Sequence, residues 1–342
     1  MHLSTSSSEN AAGKNGLASA TALLIKTGLP VCAAAAAILA ILYLATGLLF
    51  KNDRVYGTGV EGSIVTEQIN RSKSIRNADI IIIGDSSALM GTDPALFKKL
   101  TKGKKVESLA TLGWVGPRGY AALLENYLQN NKKIDTVIFL IAGASMEVDE
   151  ATFSNTGYEK TVTGAASPSS LKNRLTGARN FLFYNTIDRA VDMPLPGSYG
   201  KYYGFDSRLR KHMRDHNGSL IDPNALQKTG TGEYRFKLSD AFIPRCATFN
   251  KLILSGKVKH TYLAVAPLPE FLSGNATIAS RKRAISSLTK LTGISPGMVL
   301  NTPVSLPDKY FATTTHLNEN GKRYFTELLY RNFAKTPGHN NP

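Results

Sequence analysis

The sequence predicts an α/β fold: a doubly wound, mainly parallel sheet with helices on both faces, preceded by one N-terminal transmembrane helix. Three observations predict it. Short apolar runs rich in β-branched residues, "ADIIIIG" at 78–84 and "DTVIFLIAG" at 135–143, suit strands buried on both faces. Amphipathic segments alternate with such runs, the rhythm of parallel strands joined by helical crossovers. An uncharged apolar run begins at Leu29 and ends at Phe50. As a helix it would span roughly 33 Å, enough for a bilayer core of about 30 Å.

The elements follow in order. Residues 1–28 form a polar tail, expected to be disordered and cytoplasmic, and 29–50 the membrane helix. A cleaved signal peptide is the alternative for that run, with Ala45 and Gly47 as small residues near its end. Lys14 and Lys26 on one side and Lys51 and Arg54 on the other leave its orientation undecided by charge. Residues 51–77 read as a linker with a short helix, and 78–335 as the main domain. After the first strand, "DPALFKKLTKG" is a helix, with Asp93 as cap and Pro94 in its first turn. "KVESLA" at 105–110 is the second strand, "GYAALLENYLQNNK" a helix, and 135–143 the third strand.

Residues 150–240 interrupt the rhythm and read as an insertion without a core of its own. Within it 154–170 reads as a loop, 171–191 as helical and 193–205 as irregular. The alternation then resumes: a helix at 240–256, a strand at 260–269, a helix at 278–293, a short strand at 297–301 and a final helix from Asn318. Residues 336–342 are a tail.

Composition narrows the function. Lys plus Arg number 41 against 25 Asp plus Glu, a formal charge of +16 that favours anionic surroundings. Basic residues gather in the insertion (Lys172, Arg174, Arg179, Arg208, Arg210, Lys211, Arg214) and in "SRKR" (Arg281, Lys282, Arg283). No recognised nucleic-acid-binding motif accompanies them. Two cysteines, Cys32 and Cys246, exclude a disulfide framework, since one lies in the apolar run.

The segment "IIIIGDSS" ends a buried strand on Gly84, Asp85 and Ser86. Such an ending puts a serine at the carboxyl edge of the sheet, where ligands collect in open α/β folds. A helix N-terminus there supplies free N–H groups that stabilise an oxyanion. The alternative is that Ser86 or Ser87 merely caps the helix. A nucleophilic serine needs a base. His316 lies in "TTTHLNENGKRYF", on a loop before the last helix, from which a side chain can return to the first strand. His212 and His216, four apart with Asp215 between, have a spacing that suits a metal on a helix, but the flanking Arg and Lys repel a cation. Neither a metal nor another cofactor is implied.

These blocks resemble the SGNH/GDSL hydrolase superfamily over residues 78 to about 333. The resemblance gives Ser86 the role of nucleophile and His316, in "HLNENG", that of base. Gly113 in "LATLGWVGPRGY" matches the oxyanion-hole glycine. Asp85 belongs to the nucleophile motif. Two departures stand out. Thr313 occupies the place of the family's triad aspartate, three residues before the histidine, leaving Asp308 as the nearest upstream carboxylate. Ser145 stands where the family has an oxyanion-binding asparagine. Together the three oxyanion donors expected are Ser86, Gly113 and Ser145.

With an anchor, the resemblance implies an extracytoplasmic acyl esterase or O-acyltransferase. It would be single-pass in a bacterial cytoplasmic membrane, with its domain on the periplasmic side. Its partners would be a cell-envelope polysaccharide, undergoing O-acetylation or its reversal, and a membrane-bound O-acyltransferase. A catalytically weak or inactive subunit that binds a glycan or that acyltransferase is the alternative, and lipid hydrolysis a third. Trp114, beside Gly113, would serve as a sugar-stacking wall, or as core or lid.

Overall fold

The computed structural model describes residues 26, 28, 30–38, 59–166, 192, 194–229 and 232–336. The chain divides into two compact units, Met1–Arg54 and Val55–Pro342. In the first, residues 30–38 are helical. At 1.5 Å per residue those nine described residues cover about 14 Å, less than half a bilayer core. Among the described residues no helix is long and apolar enough to cross a membrane. The membrane helix expected between Leu29 and Phe50 is therefore corrected. The expected attachment to a membrane, the single-pass topology and the periplasmic placement depended on it and are withdrawn with it. The rest of that run, and nearly all of the tail before it, lie outside the described residues.

The second unit carries the α/β fold. Four isoleucines run through β1 (Ile80–Gly84), all of them inaccessible to solvent. Their branched side chains favour the extended backbone, and burying each contributes about 1.5–3 kcal/mol. β1 pairs in parallel with β2 (Val106–Ser108) on one side and β3 (Ile134–Ile141) on the other. β4 (Val258–Val265) adds beyond β3, giving the order β2-β1-β3-β4. The chain leaves β1 first towards β2 and then returns past it to β3. β1 is thus the point where the winding reverses, and a crevice opens at its carboxyl end. A second, two-stranded parallel sheet joins β5 (Leu268–Pro269) to β6 (Ser305–Leu306).

Helices fill the connections. α1 (Val60–Ser74) buries Ile64 and Val65 in the core, and α2 (Ser86–Gly91) follows β1 directly. α3 (Pro94–Leu100) starts as expected, with the Asp93 carboxylate accepting from the N–H groups of Ala95 and Leu96. α4 (Gly116–Gln129) leads to β3, and α5 (Gly143–Met146) is the short turn after it. α6 (Glu150–Thr156) and α7 (Tyr158–Ala166) occupy 154–166 of the loop expected at 154–170, and 167–170 lie outside the described residues. α8 (Gly197–Tyr203) forms within the stretch expected to be irregular, 193–205, whose described ends at 194–196 and 204–205 are not helical. Residues 171–191, expected to be helical, lie outside the described residues. α9 (Asp206–Asp215), α10 (Phe242–Leu254), α11 (Asn275–Thr292) and α12 (Glu319–Phe333) complete the set. The strand expected at 297–301 is reduced to one bridge, Val299 to Leu263.

Candidate active site

Gly84 ends β1 with φ +152°, and a Cβ there would lie 1.7 Å from the Leu140 carbonyl oxygen. Only glycine lets β1 and β3 approach so closely at their carboxyl ends. The next residue, Asp85, is fully buried and caps α2: its Oδ1 accepts from the Ser87 N–H and hydroxyl. Its Oδ2 accepts from the Ala142 N–H at 2.7 Å, tying the end of β1 to that of β3. On the other side, the Thr111 N–H donates to the Gly84 carbonyl at 3.0 Å. Asp85 is thus the helix cap, and the serines are not. Ser86 is left at the first position of α2 with its side chain uncommitted to the cap.

The Ser86 hydroxyl meets His316 Nε2 at 2.8 Å. This is a pair of the kind serine hydrolases use, and both residues are where the motifs predicted a nucleophile and a base. The loop that presents His316 is closed on itself. Phe311 and Leu317 form an antiparallel bridge, and the Ala312 N–H donates to the His316 carbonyl at 2.9 Å. Asn318 caps α12, its side chain accepting from the Gly321 N–H. At Gly321 a Cβ would lie 2.1 Å from the Tyr310 carbonyl oxygen. The "HLNENG" pattern is therefore a cap and a close approach that fix the histidine loop against its own helix.

The other face of the imidazole overturns an expectation. His316 Nδ1 lies 2.6 Å from Asp222 Oδ2. Asp222 belongs to the 150–240 stretch and was not among the predicted site residues. Thr313 does not face the ring, since its hydroxyl accepts from the backbone N–H groups of His316 and Thr315 at 3.0 and 3.3 Å. Asp308 is engaged elsewhere, paired with Lys228 at 2.7 Å and accepting from the Phe271 N–H. Neither Asp308, Thr313 nor Asp85 orients the imidazole. Burial alone would raise the Asp222 carboxyl, but the hydrogen bond and charge of His316, with the Asn224 N–H and side chain, outweigh it. The carboxyl therefore sits below its ordinary value and stays ionised. Burial and the Asp222 charge push the nearby Tyr199 phenol well above its ordinary value.

Two of the expected oxyanion residues, Gly113 and Ser145, come together. A Cβ on Gly113 would lie 2.5 Å from the Ser145 hydroxyl oxygen. Gly113 follows β2 and Ser145 follows β3, the two neighbours of β1. Ser86 and Gly113 each open a helical turn, so their N–H groups have no acceptor within their own helix. Ser145 is buried, and none of the described residues hydrogen-bonds its hydroxyl. Trp114 is half-buried and packs against the core, which fits the core reading of it.

No protein-family model matches the chain, and no curated protein is found similar to it. The envelope-polysaccharide role and the acyltransferase partner rested on the family resemblance joined to an anchor, and nothing else supports them.

The remaining expectations are local. His212 and His216 stack at 3.9 Å, and among the described residues no group of His, Cys, Asp or Glu is arranged to hold a metal. The basic clusters are partly neutralised. Arg210 pairs with Asp206, Lys211 with Asp215 and Arg214 with Glu67. Arg281 is buried, donating to the carbonyls of Val265 and Thr302. Lys172, Arg174 and Arg179 lie outside the described residues.

Proposed function

We propose that the protein is a serine-dependent acyl-ester enzyme, with Ser86 as nucleophile, His316 as base and Asp222 as the acid that orients it. One observation carries this reading: the unbroken line from the Ser86 hydroxyl through both His316 nitrogens to Asp222, at 2.8 and 2.6 Å. The motif resemblance to SGNH/GDSL hydrolases supports it independently for two of the three residues.

The steps follow from the geometry. Ser86 Oγ attacks the acyl carbon of an ester, and its proton passes to His316 Nε2. Asp222, charged and hydrogen-bonded to Nδ1, stabilises the imidazolium that forms. The negative charge on the former carbonyl oxygen is met by the N–H groups of Ser86 and Gly113 and by the Ser145 hydroxyl. Collapse breaks the ester bond, and the leaving alcohol takes the proton from His316. Ser86 is left as an acyl ester. Water then gives a proton to His316 and adds to that ester, and collapse returns the proton to Ser86 and releases the carboxylic acid. An alcohol in place of water would make the same sequence an acyl transfer.

The test is fluorophosphonate labelling and p-nitrophenyl acetate hydrolysis by the full chain. Wild-type labelling that vanishes in both Ser86→Ala and His316→Ala is the expected result. A folded wild type that resists the probe, or labelling that survives in Ser86→Ala, overturns the assignment.

A further inference from the structure

Asp222 lies on no helix or strand, yet the segment that brings it to His316 is held at almost every residue. The Asn217 carbonyl accepts from the Ser108 N–H at 2.8 Å, at the end of β2. The Gly218 carbonyl accepts from the Gln68 side chain at 2.9 Å. The Ser219 hydroxyl donates to the carbonyls of Leu89 and Thr92 at 3.0 and 2.6 Å. Nearest to Asp222, two side chains take over. Lys322 Nζ donates to the Leu220 carbonyl at 3.1 Å. The Tyr203 hydroxyl donates to the Ile221 carbonyl at 2.8 Å and accepts from the Ile221 N–H at 3.0 Å.

Lys322 is an unusual residue to spend on a backbone carbonyl. It is 6% exposed, and lysines are almost never buried without a carboxylate partner in contact. Burial pushes its amine down to about 8, only partly offset by Asp93 and Glu319, while His212 also senses its charge. Its place explains its use. Lys322 stands in the first turns of α12, its N–H bonded to the carbonyl of the capping Asn318 at 2.8 Å. The loop immediately before that cap carries His316. One helix start therefore fixes the imidazole through the loop and the carboxylate through the amine.

We propose that Lys322 and Tyr203 are positioning residues that set Asp222 against His316. This rests on the acyl-ester reading above. They touch neither the substrate nor the reacting atoms. Their role is to keep the Leu220 and Ile221 peptides in one place, so that Asp222 Oδ2 stays in line with Nδ1. A displacement of about 1 Å in such a group can cost about 10²-fold in rate.

The experiment compares Lys322→Met, which keeps the bulk of the stem, and Tyr203→Phe, which keeps the ring, in the wild-type and Asp222→Asn backgrounds. Readouts are kcat and KM for p-nitrophenyl acetate, the fluorophosphonate labelling rate and the thermal midpoint. Each variant is expected to lower kcat by about 10- to 10²-fold with KM nearly unchanged. In the Asp222→Asn background the same substitutions should cost little more, because they act through a carboxylate already removed. Full activity in a folded Lys322→Met or Tyr203→Phe protein overturns the proposal for that residue. Losses that simply multiply with Asp222→Asn overturn it for both, by showing a general lesion. If Lys322→Met does not fold, Tyr203→Phe still decides whether the segment positions the acid. Should Asp222→Asn itself keep full activity, the acyl-ester reading of Asp222 fails, a result distinct from failure of the positioning residues alone.

Discussion

A carboxylate beside an imidazole matters through the charge it keeps. Asp222 is held below its ordinary value of 3.8, so its contribution to stability is complete above that value. It disappears as pH falls through the lower, folded-state value. Asp222→Asn leaves the imidazole without an anionic partner, and turnover should fall by about 10⁴-fold. Asp308→Asn should leave turnover within about twofold of wild type, since Asp308 serves Lys228 and the Phe271 N–H. Equal losses in the two variants would show that the acid has been misassigned. Ser86 and His316 were legible because each sits in a short pattern with a local physical purpose: a strand that stops on glycine, and a capped helix start. Asp222 was not legible. It lies 94 residues from His316 on a segment with no periodicity, and the groups that hold that segment come from five separate parts of the chain.

At the scale of elements, sharp turns govern the site. Gly84→Ala would drive a Cβ into the Leu140 carbonyl, so β1 and β3 must part. The expected outcome is loss of the cooperative thermal transition, or a shift large enough to abolish labelling at room temperature. Asn318→Ala removes the cap of α12, at about 1 kcal/mol, read as a lowered denaturation midpoint. On α9, burial and the neighbouring His216 and Lys322 push the His212 imidazole down from 6.5 to about 4. Its unfolded form takes up a proton first, so stability falls as pH drops from about 6.5 and is fully lost from this source below about 4. Urea titrations across that range should show the slope, and His212→Gln should flatten it. The strands and the long helices were readable from runs of isoleucine and from amphipathic spacing. α7 and α8 were not, because Thr, Gly and Tyr form helices poorly and only packing recruits them: Val162 and Tyr203 are both buried in the core.

Across the whole second unit, charge is distributed by the direction of the sheet. Arg76 precedes β1, Lys102, Lys104 and Lys105 precede β2, Lys132 and Lys133 precede β3, and Lys257 precedes β4, all of them exposed. These stretches follow the carboxyl ends of α1, α3, α4 and α10, where partial negative charge favours cations. Lys98 and Lys99 stand in the last turn of α3, and replacing both with Glu should cost about 0.3–1 kcal/mol each. A set of exposed basic residues thus stands at the amino edge of the strands, opposite the site. That much of the architecture, a parallel sheet with its chemistry at one edge, follows from the alternation of elements. Which segments meet there does not, because the meeting is made by long-range packing. Ser86 lies 230 residues from His316, and Asp222 comes from between them. No early-forming piece of the chain therefore contains the site. During refolding, helix content should recover first, and probe reactivity should lag until the last helix docks. Reactivity would then be a clock for the final event of folding.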